Sequence, residues 1–397
     1  MTEITHVQNR ACPICGGTAC YPLHEMHFSL PADSPLPTTY TIVASTDCGF
    51  VYADTPGSSA DYARYYSDFS HYEDPAIATG GGEQDFDRER LAQTAAWLAQ
   101  YVPANARVLD IGCGNGGLLL ALRQHGFSHL AGMDPSNACI TRIQKLGLLA
   151  FHGWLGELPA TGMQFDLIVL SHVLEHLLLP REALASLHAL LSPSGRIYVE
   201  TPDAARYVEH PSVSWYYFDS EHINHFDHAS LDNLARSSGF HTEYSGSKTL
   251  SVQGGHEYPA VFALLSPTAM PAHLRPDDTC RLAVAAYVRQ SAQTRTMSAA
   301  LQQALAQHRP IALWGAGSQA QRLLQEAAMA NARIVAVVDG DCNKQGHRFA
   351  GCIVSAPATG LQALPADCLV VIAAALVAEQ ILAEYHALGL SYECIVN

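Results

Sequence analysis

Apolar and polar positions along this chain follow two periods, and the pattern switches between them many times. Phe86, Leu91, Ala95, Leu98 and Tyr101 recur at the spacing of one helix face. Val108-Leu109-Asp110-Ile111, a short apolar run with an acid near its end, reads as a buried parallel strand. Gly112-Cys113-Gly114-Asn115-Gly116-Gly117 follows at once, and Leu118 to Leu122 then has the composition of a helix packed on a sheet. Strand, glycine turn and helix make the first βα unit of a nucleotide-binding layer, where glycines let backbone approach a ligand. Further strands are predicted at His129–Met133, Leu149–Phe151, Gln164–Leu170 and Arg196–Pro202, with helices over Asn137–Lys145 and opening at Ser171–His176. Gly239-Phe240 and Ala260–Leu265 supply the last two strands of this layer. A helical stretch from Asp278 to His308 bridges to a second strand-glycine-helix unit, Ile311 to Ala320, and to a strand ending at Asp339. This alternation predicts an α/β fold built on a doubly wound sheet.

A chain of 397 residues predicts two or three domains. The pattern divides it at 1–75, 76–265 and 266–397. The net charge of −15, with no Lys/Arg cluster, argues against a nucleic-acid partner. The N-terminus is polar and the longest apolar run, Cys368 to Ala378, is too short to span a bilayer, so no membrane partner is expected. Eleven scattered cysteines, an odd count, fit a reducing cytoplasm and favour metal binding over disulfides.

Cys12-Pro-Ile-Cys15-Gly16-Gly17 places two thiolates on a tight turn, and tetrahedral zinc needs two more ligands. Ser45-Thr-Asp-Cys48-Gly49 is similar to the second knuckle of the small zinc-binding domain that precedes some methyltransferases, with Ser45 where a cysteine usually stands. Cys12, Cys15 and Cys48 are the expected ligands; the fourth is open among Cys20, His24 and His27, with His24 carried as the candidate. Such zinc would be structural, because a short proline-rich segment buries little core. The tyrosine-rich run from Asp61 to Tyr72 fits either a lid beside a site or packing of an exposed face.

A dinucleotide site needs helix-start N–H groups for pyrophosphate, whereas an acid inside the strand end suits a ligand without phosphate. Asp110, Gly112, Gly114 and Gly116 resemble motif I of class I S-adenosylmethionine (SAM) methyltransferases. Asp134, at the end of the second strand, can accept both ribose hydroxyls or cap the helix that follows. Trp154 and Leu155 fall in a loop resembling the one that sandwiches adenine in this family. The run Phe165 to His176, FDLIVLSHVLEH, is similar to the corresponding family segment and brings Ser171 to the cofactor.

Residues 203–230 interrupt the alternation with Trp215, Tyr216, Tyr217 and Phe218, then Glu221, His222, His225 and His228. The insertion follows the fifth strand, over the sheet edge where ligands bind in such folds. Aromatics beside a Glu and three His make a substrate wall with acid/base groups; a metal site or a purely structural cluster are the competing readings. The C-terminal Gly315-Ala316-Gly317 loop, with Asp339 22 residues beyond Gly317, matches a dinucleotide fingerprint. Taken in order, the three modules resemble the sugar C-methyltransferases: a zinc-binding head, a SAM domain and a Rossmann-like tail. That resemblance implies methylation, with SAM and structural zinc, of a small-molecule acceptor, a nucleotide-linked keto-deoxysugar. Glu221-His222 match the last two positions of that family's catalytic run; the reaction's need for a base makes His222 the base with Glu221 orienting it, and the neighbouring His225 is the alternate. Asp219 stands where the family has tyrosine, and Ile372-Ala-Ala-Ala375 replaces a family motif in the tail.

Overall fold

The computed structural model describes residues 8–68, 84–155, 162–269, 273–294 and 297–397. Gly80-Gly81-Gly82, the end of the tyrosine-rich run at Tyr72, and Glu157 to Pro159 lie outside the described residues. Strands β1 (Cys20–His27), β2 (Thr39–Ser45) and β3 (Val51–Asp54) form an antiparallel meander. Two helices, Ser59–Asp68 and Asp85–Leu98, follow.

The central layer contains β4 (Arg107–Ile111), β5 (His129–Asp134), β6 (Leu149–His152), β7 (Phe165–Ser171) and β8 (Leu191–Pro202). A two-residue strand, β9 (Asn224–His225), leaves this layer and pairs with β3. The long β10 (Phe240–Ser251) and β11 (Glu257–Pro267) then complete a seven-stranded sheet in the order β10-β11-β8-β7-β4-β5-β6. Its strands β4 to β8 run parallel, and β11 lies antiparallel to both neighbours. Alternate residues of the middle strands enter different cores. Leu109, Ile111, Ile168 and Leu170 pack on one face, Val108, Leu167 and Val169 on the other. Burial on both faces explains why these strands read as unbroken apolar runs. Truncating a side chain such as Leu170 to alanine would cost about 2–5 kcal/mol.

The third sheet comprises β12 (Pro310–Trp314), β13 (Arg333–Val338), β14 (Arg348–Phe349), β15 (Cys352–Ser355), β16 (Leu369–Ile372) and β17 (Glu393–Val396). Its order is β14-β15-β13-β12-β16-β17, parallel except for the β14–β15 pair. No helix among the described residues is long and apolar enough to cross a membrane.

Two predicted helices differ. Ser171–His176 opens no helix: His172 takes a left-handed φ of 57°, a single 3₁₀ turn covers Leu174–His176, and helix resumes at Pro180. Proline suits a first helical position, where its missing N–H is no loss. The bridge from Asp278 to His308 is two helices, Thr279–Thr294 and Ala299–Ala306, the second capped by Ser298, which accepts from Leu301 N–H.

Half-buried Arg10 fastens the N-terminal meander to the insertion. It donates to the carbonyls of Ala53, Leu178 and Ile223 and to Asn224 Oδ1, while its guanidinium lies over the Tyr52 ring. Asn224 Nδ2 in turn donates to the carbonyls of Leu174 and Leu177. The segment carrying His222 is thereby held against the turn carrying Glu175 and His176.

Candidate active site

A cavity of about 380 Å³ opens at the carboxyl ends of the central strands. Asp110 near the end of β4, Asp134 at the end of β5 and Ser171 at the end of β7 line it, with Gly112, Gly114, Trp154 and Leu155. Three glycines of the loop, Gly112, Gly114 and Gly116, have left-handed φ values, 71°, 48° and 83°. A Cβ at Gly112 would strike Val173 at 2.6 Å, so that glycine is required twice over. Gly114 has nothing within 4 Å of a built Cβ and leaves bare backbone at the cavity wall.

Asp134 is held by the loop it faces. Gly114 N–H donates to its Oδ2 and Ser136 N–H to its Oδ1, both at 2.9 Å. A carboxylate offers about four lone-pair sites, so it can accept a ligand hydroxyl in addition to these donors. The helix cap is Ser136, which accepts from Cys139 N–H, so capping does not occupy Asp134. Burial, reinforced by the charge of Asp134, pushes the Asp110 carboxyl up to about 8. A cationic ligand group beside it would favour the ionised form. Trp154 meets Tyr66 edge to face, with ring centroids 5.3 Å apart. These features fit the parts of SAM: a carboxylate pair for its cationic and ribose groups, bare backbone, and an aromatic face for the purine.

The opposite wall carries His172, Glu175, His176, Asp219 and His222. One ligand atom each from Glu175, His176 and His222 lies within 4.8 Å of the others. His176 Nδ1 lies 2.7 Å from the Tyr66 hydroxyl and 3.2 Å from the Glu221 carbonyl oxygen. A carbonyl only accepts, so Nδ1 carries the proton and Nε2 holds the lone pair. Burial lowers the His176 pKa to about 4, which keeps the ring neutral. His222 meets it at a ring-centroid distance of 4.8 Å.

The partner of His222 differs from the expected one. Glu221 is buried, and its Oε1 accepts from the Tyr65 hydroxyl at 2.6 Å. Burial, then the charge of Asp219, raises its pKa to about 8. It therefore does not orient His222. Asp219 does: its Oδ1 accepts the N–H groups of Glu221 and His222, and its Oδ2 lies 3.8 Å from His222 Nδ1. The alternate base His225 is also corrected. It is fully buried on β9, with Nδ1 3.3 Å from the Tyr207 hydroxyl, and burial pulls its pKa down to about 3. It does not line the cavity. Its residue pairs with Val51, so it belongs to the join between two sheets.

Sequence reasoning missed a buried ionic chain behind this wall. His172 Nδ1 lies 3.1 Å from Glu175 Oε1 and its Nε2 3.3 Å from Glu200 Oε1. Glu200 also receives Lys248 Nζ and the Tyr198 hydroxyl, each at 2.6 Å. Lys248 holds Glu200 well below the usual carboxylate range against the cost of burial. An acid two residues before the end of the predicted fifth strand was the one available signal. Tyr66, from the tyrosine-rich run, also lines the cavity, while Tyr65 serves Glu221.

At the N-terminal knuckles Cys12, Cys15 and Cys48 bring their sulfurs within 4.8 Å of one another. Cys12 and Cys48 Sγ lie 3.7 Å apart, and Gly17 N–H donates to Cys15 Sγ at 3.4 Å. Hydrogen bonds from Cys12 and Cys48 hold the Cys15 thiol far below its ordinary range. The donor set fits a thiolate-binding metal such as zinc. His24 is not its fourth member: its ring stacks on Trp215 at 4.1 Å, and the group facing Cys15 is Ser45 Oγ at 3.3 Å.

Residues 84–244 match a family model described as a methyltransferase domain. This part of the chain is a class I SAM-dependent methyltransferase domain. Residues 307–396 match a second family model, described as C2185-like, N-terminal. Against EEF1A lysine methyltransferase 2 of Danio rerio the chain is 45% identical over 60 residues, 15% of this chain and 26% of that protein. Against the ubiquinone biosynthesis O-methyltransferase of Xylella fastidiosa (strain 9a5c) it is 34% identical over 116 residues, 26% and 46%. The chain thus spans between a quarter and a half of the length of these curated relatives. A Burkholderia thailandensis 1,6-didemethyltoxoflavin-N1-methyltransferase structure superposes with a TM-score of 0.39 at 20% identity, over 55% of this chain and 95% of that one. The methyltransferase domain holds every cofactor-binding residue expected from sequence.

Proposed function

We propose that the protein transfers a methyl group from SAM to a small-molecule acceptor, at the carbon next to the keto group of a nucleotide-linked deoxysugar. The supporting observation is one cavity that joins the Asp110–Gly114–Asp134 wall to the His176–His222 wall. Bound SAM supplies an electrophilic methyl on a sulfonium. The residues opposite must then position a nucleophile in line and remove its proton. His222 takes that proton, with Asp219 Oδ2 3.8 Å from its Nδ1. His176, neutral and carrying its lone pair on Nε2, orients the acceptor beside it. Zinc, bound by Cys12, Cys15 and Cys48, stabilises the N-terminal meander. With all eleven cysteines unpaired, we assign the protein to a reducing cytoplasm.

Titration of the intact chain with SAM and with NAD(P)H tests this reading: SAM should bind and NAD(P)H should not. With a ketosugar acceptor, the enzyme alone should exchange the α-proton for solvent deuterium. Tight NAD(P)H binding, with none of SAM, would replace the reading by a dehydrogenase.

The convergence of Glu175, His176 and His222 favours a second reading, in which a divalent cation on these groups activates an acceptor hydroxyl for O-methylation. Turnover abolished by a chelator and restored by a divalent metal would select it.

A further inference from the structure

The insertion has two sides. Trp215 and Tyr216, Ser318 and Gln319, and Ala375 and Leu376 are three pairs of chain neighbours, and each pair divides between two cavities. Tyr216, Ser318 and Leu376 line the SAM cavity. Their neighbours line a second cavity of about 270 Å³, enclosed by Pro211–Trp215, the helix Thr279–Thr294 and the C-terminal sheet's helix Ser318–Leu323.

Two unusual groups meet there. Arg322 is 7% exposed, yet its guanidinium has one hydrogen bond, from Nη1 to the Phe218 carbonyl at 3.1 Å. Among the described residues no carboxylate lies within ion-pair distance of it. Asp219 is nearby but already serves two N–H groups and His222. Burying a charge without a counter-charge is costly, and a buried guanidinium is normally paired. Trp215 is 4% exposed, its indole Nε1 is buried without a partner, and its backbone takes a φ of 64°. A bulky residue in the left-handed region is strained and persists where its surroundings impose it. Ser212 Oγ and Gln290 Oε1, also in the wall, are buried without partners too. Beside Glu326, which also lines the wall, the set comprises a cation, an indole donor, a hydroxyl and one amide acceptor.

We infer that this second cavity binds a small oxyanion that also bears a hydroxyl: the anion is held by Arg322 and the Trp215 indole N–H, and the hydroxyl donates to Gln290. Planar guanidinium donors suit both carboxylate and phosphate oxygens. The volume admits a compact metabolite. The inference does not depend on the methyl-transfer reading, since none of these groups lines the first cavity.

Calorimetric titration of the full chain with D-glycerate and, separately, with inorganic phosphate tests it, with sodium chloride as the ionic-strength control. One saturable site per chain is expected for at least one probe. Glycerate alone binding assigns a hydroxycarboxylate, and phosphate alone a phosphate monoester. Trp215→Phe, which keeps the ring and removes the donor, should weaken the site about three- to tenfold. Arg322→Gln should weaken it more than tenfold. Should that variant fail to fold, Gln290→Glu, isosteric but repelling an anion, should abolish binding while SAM affinity stays unchanged. No saturable binding of either probe, or binding indifferent to Trp215→Phe and Gln290→Glu, would overturn the inference and leave a water-filled pocket.

Discussion

The central and C-terminal glycine loops share one backbone device and differ in what stands beside it. In the central loop Asp134 accepts from Gly114 N–H and from Ser136 N–H two residues on. In the C-terminal loop Asp339 accepts from Ala316 N–H at 2.8 Å and from Asp341 N–H at 2.9 Å. Gly112 N–H bonds to Met133 O and Gly315 N–H to Val338 O, both at 2.8 Å, so the two strand ends superimpose in role. Two residues before those glycines the chain has Asp110 in one case and Leu313 in the other. Lys344 Nζ also lies 3.3 Å from Asp339 Oδ2 and 3.7 Å from Asp341 Oδ2, supplying the cation that a ligand would otherwise bring. A glycine fingerprint therefore reports a turn geometry. The two loops are told apart by the acid at the strand end and by the lysine beside the second acid.

The sharpest break of this contrast is catalytic, because the central loop shares its cavity with His176 and His222. His222→Ala should lower turnover about 10²–10⁴-fold, the usual worth of a general base, with SAM binding intact. Glu221→Gln should cost far less, since Tyr65 rather than His222 receives that carboxylate. Steady-state rates with each variant check both expectations, and near-normal turnover of His222→Ala would remove the assignment.

Next in size are the paired acids. Asp134→Ala should weaken SAM binding by about 1.5–3 kcal/mol, the worth of hydrogen bonds to a charged group. Asp339→Ala should leave SAM affinity unchanged. Equal losses, read by calorimetry, would mean that the C-terminal loop contributes to the cofactor site.

The acid at the strand end gives a pH signature. Asp110 has its folded pKa raised to about 8 from an ordinary value near 4. The native state thus holds a proton that the unfolded chain releases, and this contribution to stability is present at low pH and lost as pH rises through that window. Asp110→Asn should flatten the decline, by at most about 1.4 kcal/mol per pH unit. Denaturant unfolding at several pH values measures it; Leu313 gives the C-terminal sheet no counterpart.

The smallest effect expected is at the metal. His24→Ala should leave the zinc content unchanged, whereas Ser45→Cys should slow loss of zinc to a chelator by completing four thiolates. Metal content after dialysis decides, and loss of zinc in His24→Ala would restore that residue as a ligand.

What the sequence by itself determined is what local chemistry dictates. Apolar runs bounded by turns marked β4, β5, β7 and β8, because strands buried on both faces need continuous apolar side chains. Left-handed turns forced glycine at 112, 114 and 116, and an acid at each strand end was visible from spacing alone. Tertiary structure decided which way the insertion's side chains point. Glu221 and His222 are chain neighbours, yet one faces Tyr65 and the other the cavity, and the turn closed by Asp219 brings a different carboxylate to the imidazole. His225 and His24 carry the same chemistry as His222. Pairing of β9 with β3 buries the first, and Trp215 covers a face of the second. The His172–Glu200–Lys248 chain joins residues far apart in sequence, so spacing could mark Glu200 but not pair it with its partners. A histidine's role depends on its neighbours in space, and those are set only when distant segments pack.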